Sequence, residues 1–159
     1  MVTIRPAQAH ELPTITALVH AIWPVSYAAV LTPAQIGNLL ERIYNQENLQ
    51  REVDAGHQFW LALENDVPVG FASAYVEGDV AWLKKIYVLP TMQGKRVGKA
   101  LMEAALAPFA HARYQRLYVN CDNRAAQQFY RQQGFEVIEK VPVQMGDYHF
   151  TDFIFSRAI

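Results

Sequence analysis

Apolar positions fall at Leu12, Ile15, Val19 and Ile22, the spacing of one helix face, and the run stops at Trp23-Pro24. Val2 to Pro6, just before it, reads as a short entry strand. Thr32-Pro33 carries the hydroxyl cap and first-turn proline of a second helix, whose apolar face is Ile36, Leu39, Leu40 and Ile43. Asn48 to Val53 gives a further short helical piece, so the first third is helical. From His57 the period shortens. HQFWLAL and VPVGFASAYV are strand runs separated by the turn cluster Glu64-Asn65-Asp66, and VAWLKKIYVLP follows Glu77-Gly78-Asp79. These three runs predict adjacent antiparallel strands. The segment TMQGKR then leads into a helix with Val97, Leu101, Ala105 and Leu106 on one face, and RLYVNC is a short apolar strand. Asn123 can cap a helix that runs to Gln133 and ends at Gly134, before FEVIEKVPV and YHFTDFIFS close the chain as two strands.

Helices, a three-strand meander, a strand-helix-strand-helix unit and a final strand pair predict an α/β fold, a mixed sheet with helices on both faces. Val80 to Val88 should be the central strand, because a helix crossover brings Leu117 to Asn120 alongside it in parallel. Ligands of such sheets gather where strands part or reverse order, here around Val88 to Gly98 and Cys121 to Asn123. Neither a repeat nor a linker interrupts the pattern, so residues 1–159 read as a single domain.

With 52% hydrophobic and 18% charged residues over 159 positions, the chain can build a full core, which excludes a disordered tail or a stapled mini-scaffold. A formal net charge of -1 argues against nucleic acid as a partner. One cysteine, Cys121, cannot make an intrachain disulfide, and the five histidines show no metal-ligand spacing, so no metal is expected. Without a leader-like start or an apolar run of membrane-spanning length, the expectation is no membrane and a cytoplasmic location. The near-zero charge hides an asymmetry: residues 1–80 carry three basic and nine acidic side chains, residues 81–159 eleven and six. Solvated faces in both halves would account for this. So would a polyanionic ligand on the second half and a cationic one drawn to the first.

The anion reading starts from Gln93-Gly94-Lys95-Arg96-Val97-Gly98, which follows a strand and opens a helix, so its backbone N–H groups lie at the positive end of a helix dipole. It is no P-loop, lacking GxxxxGK followed by Ser or Thr, and no dinucleotide fingerprint, since Gly94 and Gly98 have the wrong spacing. Taken alone, such a glycine-bearing turn is more often structural than functional.

Two segments change that reading, because they resemble the GNAT superfamily of N-acetyltransferases. LKKIYVLPTMQGKRVGKALM is similar to the acetyl-CoA-binding segment of that family, with its Gln/Arg-x-x-Gly-x-Gly/Ala loop falling on Gln93 to Gly98. NRAAQQFYRQQGF, Asn123 to Phe135, is similar to its second motif. The resemblance covers nearly the whole chain, and WPVSYAAVLTPAQIGNLL and MGDYHFTDFIF are similar to its polyamine (spermidine/spermine) acetyltransferase-like branch. It implies a mixed, mostly antiparallel sheet with a splayed central strand, and acetyl-CoA as cosubstrate. The phosphates of that cosubstrate would lie on the loop formed by Gln93, Gly94, Lys95, Arg96, Val97, Gly98 and Lys99, with Lys95, Arg96, Lys99, Arg124 and Arg131 as a cationic border. The backbone of Ile86 and Val88 would hold the pantetheine arm. Asn123 would contact the same arm, although an N-cap role alone also explains it.

By the same resemblance Tyr130 is the general acid. A phenol with a pKa near ~10 can protonate a departing thiolate with a pKa near ~8.5. The plainer reading of Tyr130 is an amphipathic-helix residue beside Phe129. The backbone N–H of Val88 is the expected oxyanion donor. Two positions depart from the family pattern. Arg96 stands where Gly is commoner and is expected at ordinary helical φ, its side chain turned to solvent or phosphate. Trp82, eleven positions before Gln93, stands where many members carry a Glu as base. An amine with a pKa of about 10.4 costs roughly 4 to 5 kcal/mol to deprotonate at pH 7, so some group must take that proton. Glu77, Asp79, Asp147 and His149 are candidates, each also readable as a surface residue. Trp82 itself is either a wall of the acceptor pocket or a core residue.

Acetyl transfer to a primary amine is therefore the leading expectation. The acidic first half favours a small cation or polyamine, and protein or peptide N-termini stay open as acceptors. A non-catalytic acyl-CoA-binding module competes with it; the missing Glu supports that reading and Tyr130 opposes it. The final strand, with Phe150, Phe153 and Phe155, either pairs across a homodimer or finishes the core.

Overall fold

Local chemistry fixes the ends of the helices. The computed structural model describes residues 1–159, and in it the Thr32 and Gln35 side chains each accept from the other's backbone amide, a reciprocal cap. Asn45 caps the next helix by accepting from the Asn48 amide at 2.7 Å, and Asn123 caps the last by accepting from the Ala126 amide at 3.2 Å. The Asn65-Asp66 turn has both residues at positive φ (51° and 66°), the conformation that matches strand twist in a two-residue hairpin.

In chain order the elements are β1 (Val2–Pro6), α1 (Leu12–Ser26), α2 (Pro33–Ile43), α3 (Gln46–Asp54), β2 (Gln58–Glu64), β3 (Val67–Glu77), β4 (Val80–Val88), α4 (Val97–Leu106), β5 (Tyr114–Asn120), α5 (Arg124–Gln132), β6 (Glu136–Met145) and β7 (Tyr148–Ala158). The seven strands form one sheet in the order β1-β2-β3-β4-β5-β7-β6, which puts β4 at the centre as expected. Only β4 and β5 run parallel. One core lies between the sheet and α4 and α5, around Leu101, Met102, Phe135 and Phe155, and a second between the opposite face and α1 to α3, around Ile15, Tyr44, Leu49 and Phe71. Helices thus cover both faces.

Two details differ from the sequence reading. α1 does not stop at Trp23-Pro24 but continues to Ser26. Pro24 sits in the last turn, where its missing N–H removes a single bond, and buried Trp23 holds that turn against Tyr44 and Tyr87 at ring-centroid distances of 5.7 and 5.8 Å. The parallel ladder joins Val80, Ala81 and Trp82 to Tyr114, Gln115 and Arg116, not to Leu117–Asn120. Beyond Trp82 the two strands separate, because β5 stays paired with β7 along its whole length while β4 carries a bulge facing Ser73/Ala74 that twists it away. Of the two readings of the Phe-rich final strand, the structure has it completing the core: β7 lies between β5 and β6 with both edges paired, Phe155 is in the core with Phe153 packed against it, and β6 forms the edge of the sheet.

Candidate active site

The parting of β4 and β5 opens a cavity of about 670 Å³ lined by 29 residues, 22 of them hydrophobic. Its floor is the sheet from β4 to β6, and α1 and α2 wall one side with Trp23, Tyr27, Leu39 and Tyr44. Of the residues singled out above, Ile86, Asn123, Tyr130 and Trp82 line it. Val88 and the loop Gln93–Lys99 are not among the lining residues.

The edge of β4 facing this gap is unpaired. The Leu89 amide donates to the Val69 carbonyl on β3 at 2.8 Å, so strand alternation turns the amides of Val88 and Ile86 the other way, toward the space that β5 vacates. At the end of β4 a short 3-10 turn, Pro90–Met92, leads to the glycine loop and α4. Within Gly94–Lys99 only Lys95 spends its amide on the protein, donating to the Met92 carbonyl; the amides of Gly94, Arg96, Val97, Gly98 and Lys99 find no backbone acceptor. Nothing in the protein forces a glycine at position 98, since a Cβ there would meet only Phe129 Cζ at 4.0 Å. The space in front of α4 is open, and the side chains of Lys95, Arg96 and Lys99 around it are exposed.

Arg96 corrects the expectation of helical geometry. It caps α4 at φ 60° and ψ 20°, in the left-handed region. The chain has to leave the 3-10 turn and reverse into the helix within Gln93–Arg96, and it does so with two left-handed residues, Gly94 at φ 81° and Arg96. The Arg96 carbonyl still receives the Ala100 amide at 3.2 Å, so the residue belongs to the helix by hydrogen bonding and departs from it only in φ.

Tyr130 projects from α5 into the floor of the cavity. Its ring packs edge-on against Phe129 and Phe135 at 5.1 and 5.7 Å, and the residue is 5% exposed. Burial pushes its phenol well above the usual tyrosine value, and no protein group hydrogen-bonds it. The helix is held to the end of β5 by Gln127, one turn before Tyr130, whose amide donates to the Asn120 and Cys121 carbonyls at 3.2 and 2.9 Å. Sequence reading missed this brace; the signal was a polar residue on the buried face of α5.

None of the four base candidates lines this cavity. Asp147 lies at a separate hollow with Asn38, Glu41 and Arg42, while Glu77, Asp79 and His149 lie outside both. None of the nine acidic residues of the first half lines the cavity either. Four of them are spent on ion pairs: Glu11 with Arg5, Glu47 with Arg51, Glu52 with Lys85, and Glu64 with Lys95. The carboxylates that do line it are Asp152 and Glu139. Trp82 is a cavity wall, stacked on Tyr118 with ring centroids 5.3 Å apart. Two phenols also went unread: Tyr27 and Tyr87 meet across the cavity with their oxygens 3.0 Å apart, and burial raises the pKa of both.

A family model described as Acetyltransferase (GNAT) family matches residues 19–135. The chain is 24% identical over 143 residues to a spermidine N(1)-acetyltransferase of Thermoplasma acidophilum, covering 86% of this chain and 89% of that one. It is 23% identical to an uncharacterized N-acetyltransferase of Mycobacterium bovis, over 91% of this chain and 96% of the relative. Among solved structures, a PaiA N-acetyltransferase from Thermoplasma acidophilum in complex with coenzyme A superposes with a TM-score of 0.87 at 23% identity, over 100% and 99% of the two chains. The ribosomal-protein-S18-alanine N-acetyltransferase from Escherichia coli follows the same fold at a TM-score of 0.77 and 20% identity, over 100% and 94%. β6 and β7, which complete the cavity floor, lie beyond the matched segment, but that segment runs from within α1 through β4, the glycine loop and α5 to Phe135, and the chain belongs to the GNAT family of acetyltransferases.

Proposed function

We propose that this enzyme moves an acetyl group from acetyl-CoA to the primary amine of a small cationic molecule, and that the unpaired edge of β4, opening beside a buried phenol, is the observation that carries this reading. The residues present fit the cosubstrate. Free amides at Gly94, Arg96, Val97, Gly98 and Lys99, at the positive end of α4, would take its phosphates, and the missing Cβ at Gly98 keeps the approach open. Lys95, Arg96 and Lys99, with Arg124 beyond them, border that approach with positive charge. The outward amides of Ile86 and Val88 extend the arm's path along β4 as a missing strand would, and Asn123 adds its side-chain amide at the cavity wall.

When bound, acetyl-CoA supplies the thioester carbonyl that the amine attacks and the thiol that leaves. Val88 would donate its N–H to the carbonyl oxygen as negative charge builds there. Tyr130 would give its hydroxyl proton to the departing sulfur. The rise in its pKa does not disable it, because the same burial that disfavours a phenolate disfavours a thiolate beside it. It also keeps the phenol fully protonated near neutral pH.

Steady-state thiol release from acetyl-CoA, with polyamines, other small amines, amino acids and N-terminal peptides as acceptors, tests the reading together with calorimetric binding of coenzyme A. Micromolar cofactor binding with turnover of small amines is expected. Tight binding without turnover of any amine would instead establish the acyl-CoA-binding module, and turnover of peptides alone would establish an N-terminal acetyltransferase.

A further inference from the structure

The cavity contains few charges. Lys84, Lys85, Glu139 and Asp152 are the charged residues that line it. Lys85 is neutralised by Glu52 at 2.7 Å, and Lys84 and Glu139 are exposed at the rim. Asp152 is different. It stands on β7 between Phe150 and Ile154 in the row of side chains that faces the cavity, directly opposite Asn120 on β5 and Val141 on β6. It is half-buried, and no hydrogen bond or ion pair within the protein satisfies its carboxylate. A carboxylate left unpaired in an apolar recess is costly unless a cation arrives to meet it.

Building on the acetyltransferase reading, we propose that Asp152 receives the ammonium of the acceptor and takes its proton, and that the acceptor is a primary monoamine on an apolar or aromatic body rather than a polyamine. The surroundings supply what such a molecule needs. Trp23, Tyr27, Tyr87 and Phe150 line the cavity with aromatic surface suited to a hydrocarbon body and to a cationic head. Asp152, Tyr27 and Tyr130 all line this one cavity, so the carboxylate and the acid face a common space. A second ammonium would have to lie among apolar side chains or at the rim, where exposed Glu139 is accompanied by Lys84.

The proton count closes. One N–H bond of the ammonium breaks and an O–H bond forms on Asp152, freeing the nitrogen lone pair to bond to the carbonyl carbon. The C–S bond breaks, the sulfur takes the Tyr130 proton, and the second nitrogen proton goes to water, from which Tyr130 is reprotonated as Asp152 returns its proton to solvent. Burial pushes the Asp152 carboxyl above the usual aspartate range, which suits it to hold a proton drawn from an amine.

The test compares phenethylamine, tyramine and hexylamine with spermidine as acceptors for the wild-type enzyme, and repeats the panel on D152N and D152E, with coenzyme A affinity measured on each. A kcat/KM at least tenfold higher for the monoamines is expected. D152N should lose at least a hundredfold in kcat/KM with coenzyme A affinity within twofold, and D152E should recover part of the loss in kcat more than in KM. Spermidine preferred by the wild-type enzyme, or full activity in D152N, would overturn the inference while leaving an acetyltransferase. Coenzyme A binding with no turnover of any amine would defeat the acetyltransferase reading and this inference together. The wild-type comparison decides the acceptor class even if D152N does not fold.

Discussion

Lys85 Nζ donates to Glu52 Oε1 across 2.7 Å, tying the inner face of β4 to α3 with a lysine whose side chain is 3% exposed. The lysine sits just past the bulge that turns β4 away from β5, 5.3 Å from the Tyr44 ring centroid. Burial lowers the Lys85 pKa and the Glu52 charge opposes that fall. Removing one partner of such a pair leaves a buried charge uncompensated, at a cost of about 3 kcal/mol. Glu52→Gln should therefore lower stability by roughly that amount in urea denaturation. The sign of its pH dependence follows from the lowered lysine: the folded variant binds fewer protons than the unfolded chain between the depressed pKa and the ordinary lysine value, so its stability climbs as pH rises toward 10. A loss that stays constant from pH 7 to 10 would show that Lys85 keeps its charge by another route.

Tyr130 has a hydroxyl that holds nothing in place. No protein group hydrogen-bonds it, and its ring supplies the packing against Phe129, Phe135 and Phe155. Tyr130→Phe should accordingly keep wild-type stability and coenzyme A affinity while kcat falls by about 10² to 10⁴, the range for loss of one proton-transfer group. Single-turnover thiol release on the variant would separate chemistry from product release. An unchanged chemical rate would remove Tyr130 from the reaction.

Where one residue decides a feature, the feature was legible in the sequence. The Thr32-Pro33 helix start, the Glu64-Asn65-Asp66 turn and the Asn123 cap each act within three residues, and all formed as read, with the reciprocal bond from Gln35 an addition that the structure supplies. The central place of β4 and the helices on both faces followed from element order. What was not legible depends on strands distant in sequence. Asp152 lies in YHFTDFIFS, where each alternating row mixes aromatic or apolar residues with polar ones, so the pattern does not say which face meets water; β5 and β6 on either side decide that. The extent of the β4–β5 ladder depends on a bulge set by β3, and no residue of β5 announces it. The acids of the first half were counted as a field for a cation, but four of them are consumed by neighbouring bases.

Gly70 shows how closely that central region is packed. It pairs with Val88 across β3 and β4, and a Cβ there would lie 2.9 Å from the Tyr87 carbonyl oxygen, 3.2 Å from Leu101 Cδ1 and 3.3 Å from Val88 Cγ2. The backbone atom cannot move without shifting the β4 edge. Gly70→Ala should destabilise by about 1 to 3 kcal/mol, as overpacking does. Because the displaced segment carries the outward Val88 amide, coenzyme A affinity should weaken as well. Calorimetry on the folded variant at low temperature checks this, and an unaltered affinity would mean that α4 absorbs the strain and leaves β4 in place.

Arg96 gives the opposite expectation. At φ 60° it occupies a conformation that costs a residue with a side chain roughly 1 to 2 kcal/mol, whereas glycine adopts it freely at a cost of about 0.5 to 1 kcal/mol in unfolded-state entropy. The side chain is exposed and pairs with no carboxylate, so little packing is lost with it. Arg96→Gly should therefore raise stability by up to about 1.5 kcal/mol, the difference of those two terms. The same change removes a positive charge from the border of the loop. If Arg96 contacts a phosphate, coenzyme A binding should weaken and its dependence on salt should become shallower, even as the protein becomes harder to unfold. Those two readouts are independent. A stability gain with unchanged affinity and salt dependence would make Arg96 a strained cap and nothing more, while a loss of both would show that its side chain supports the loop from which the free amides project.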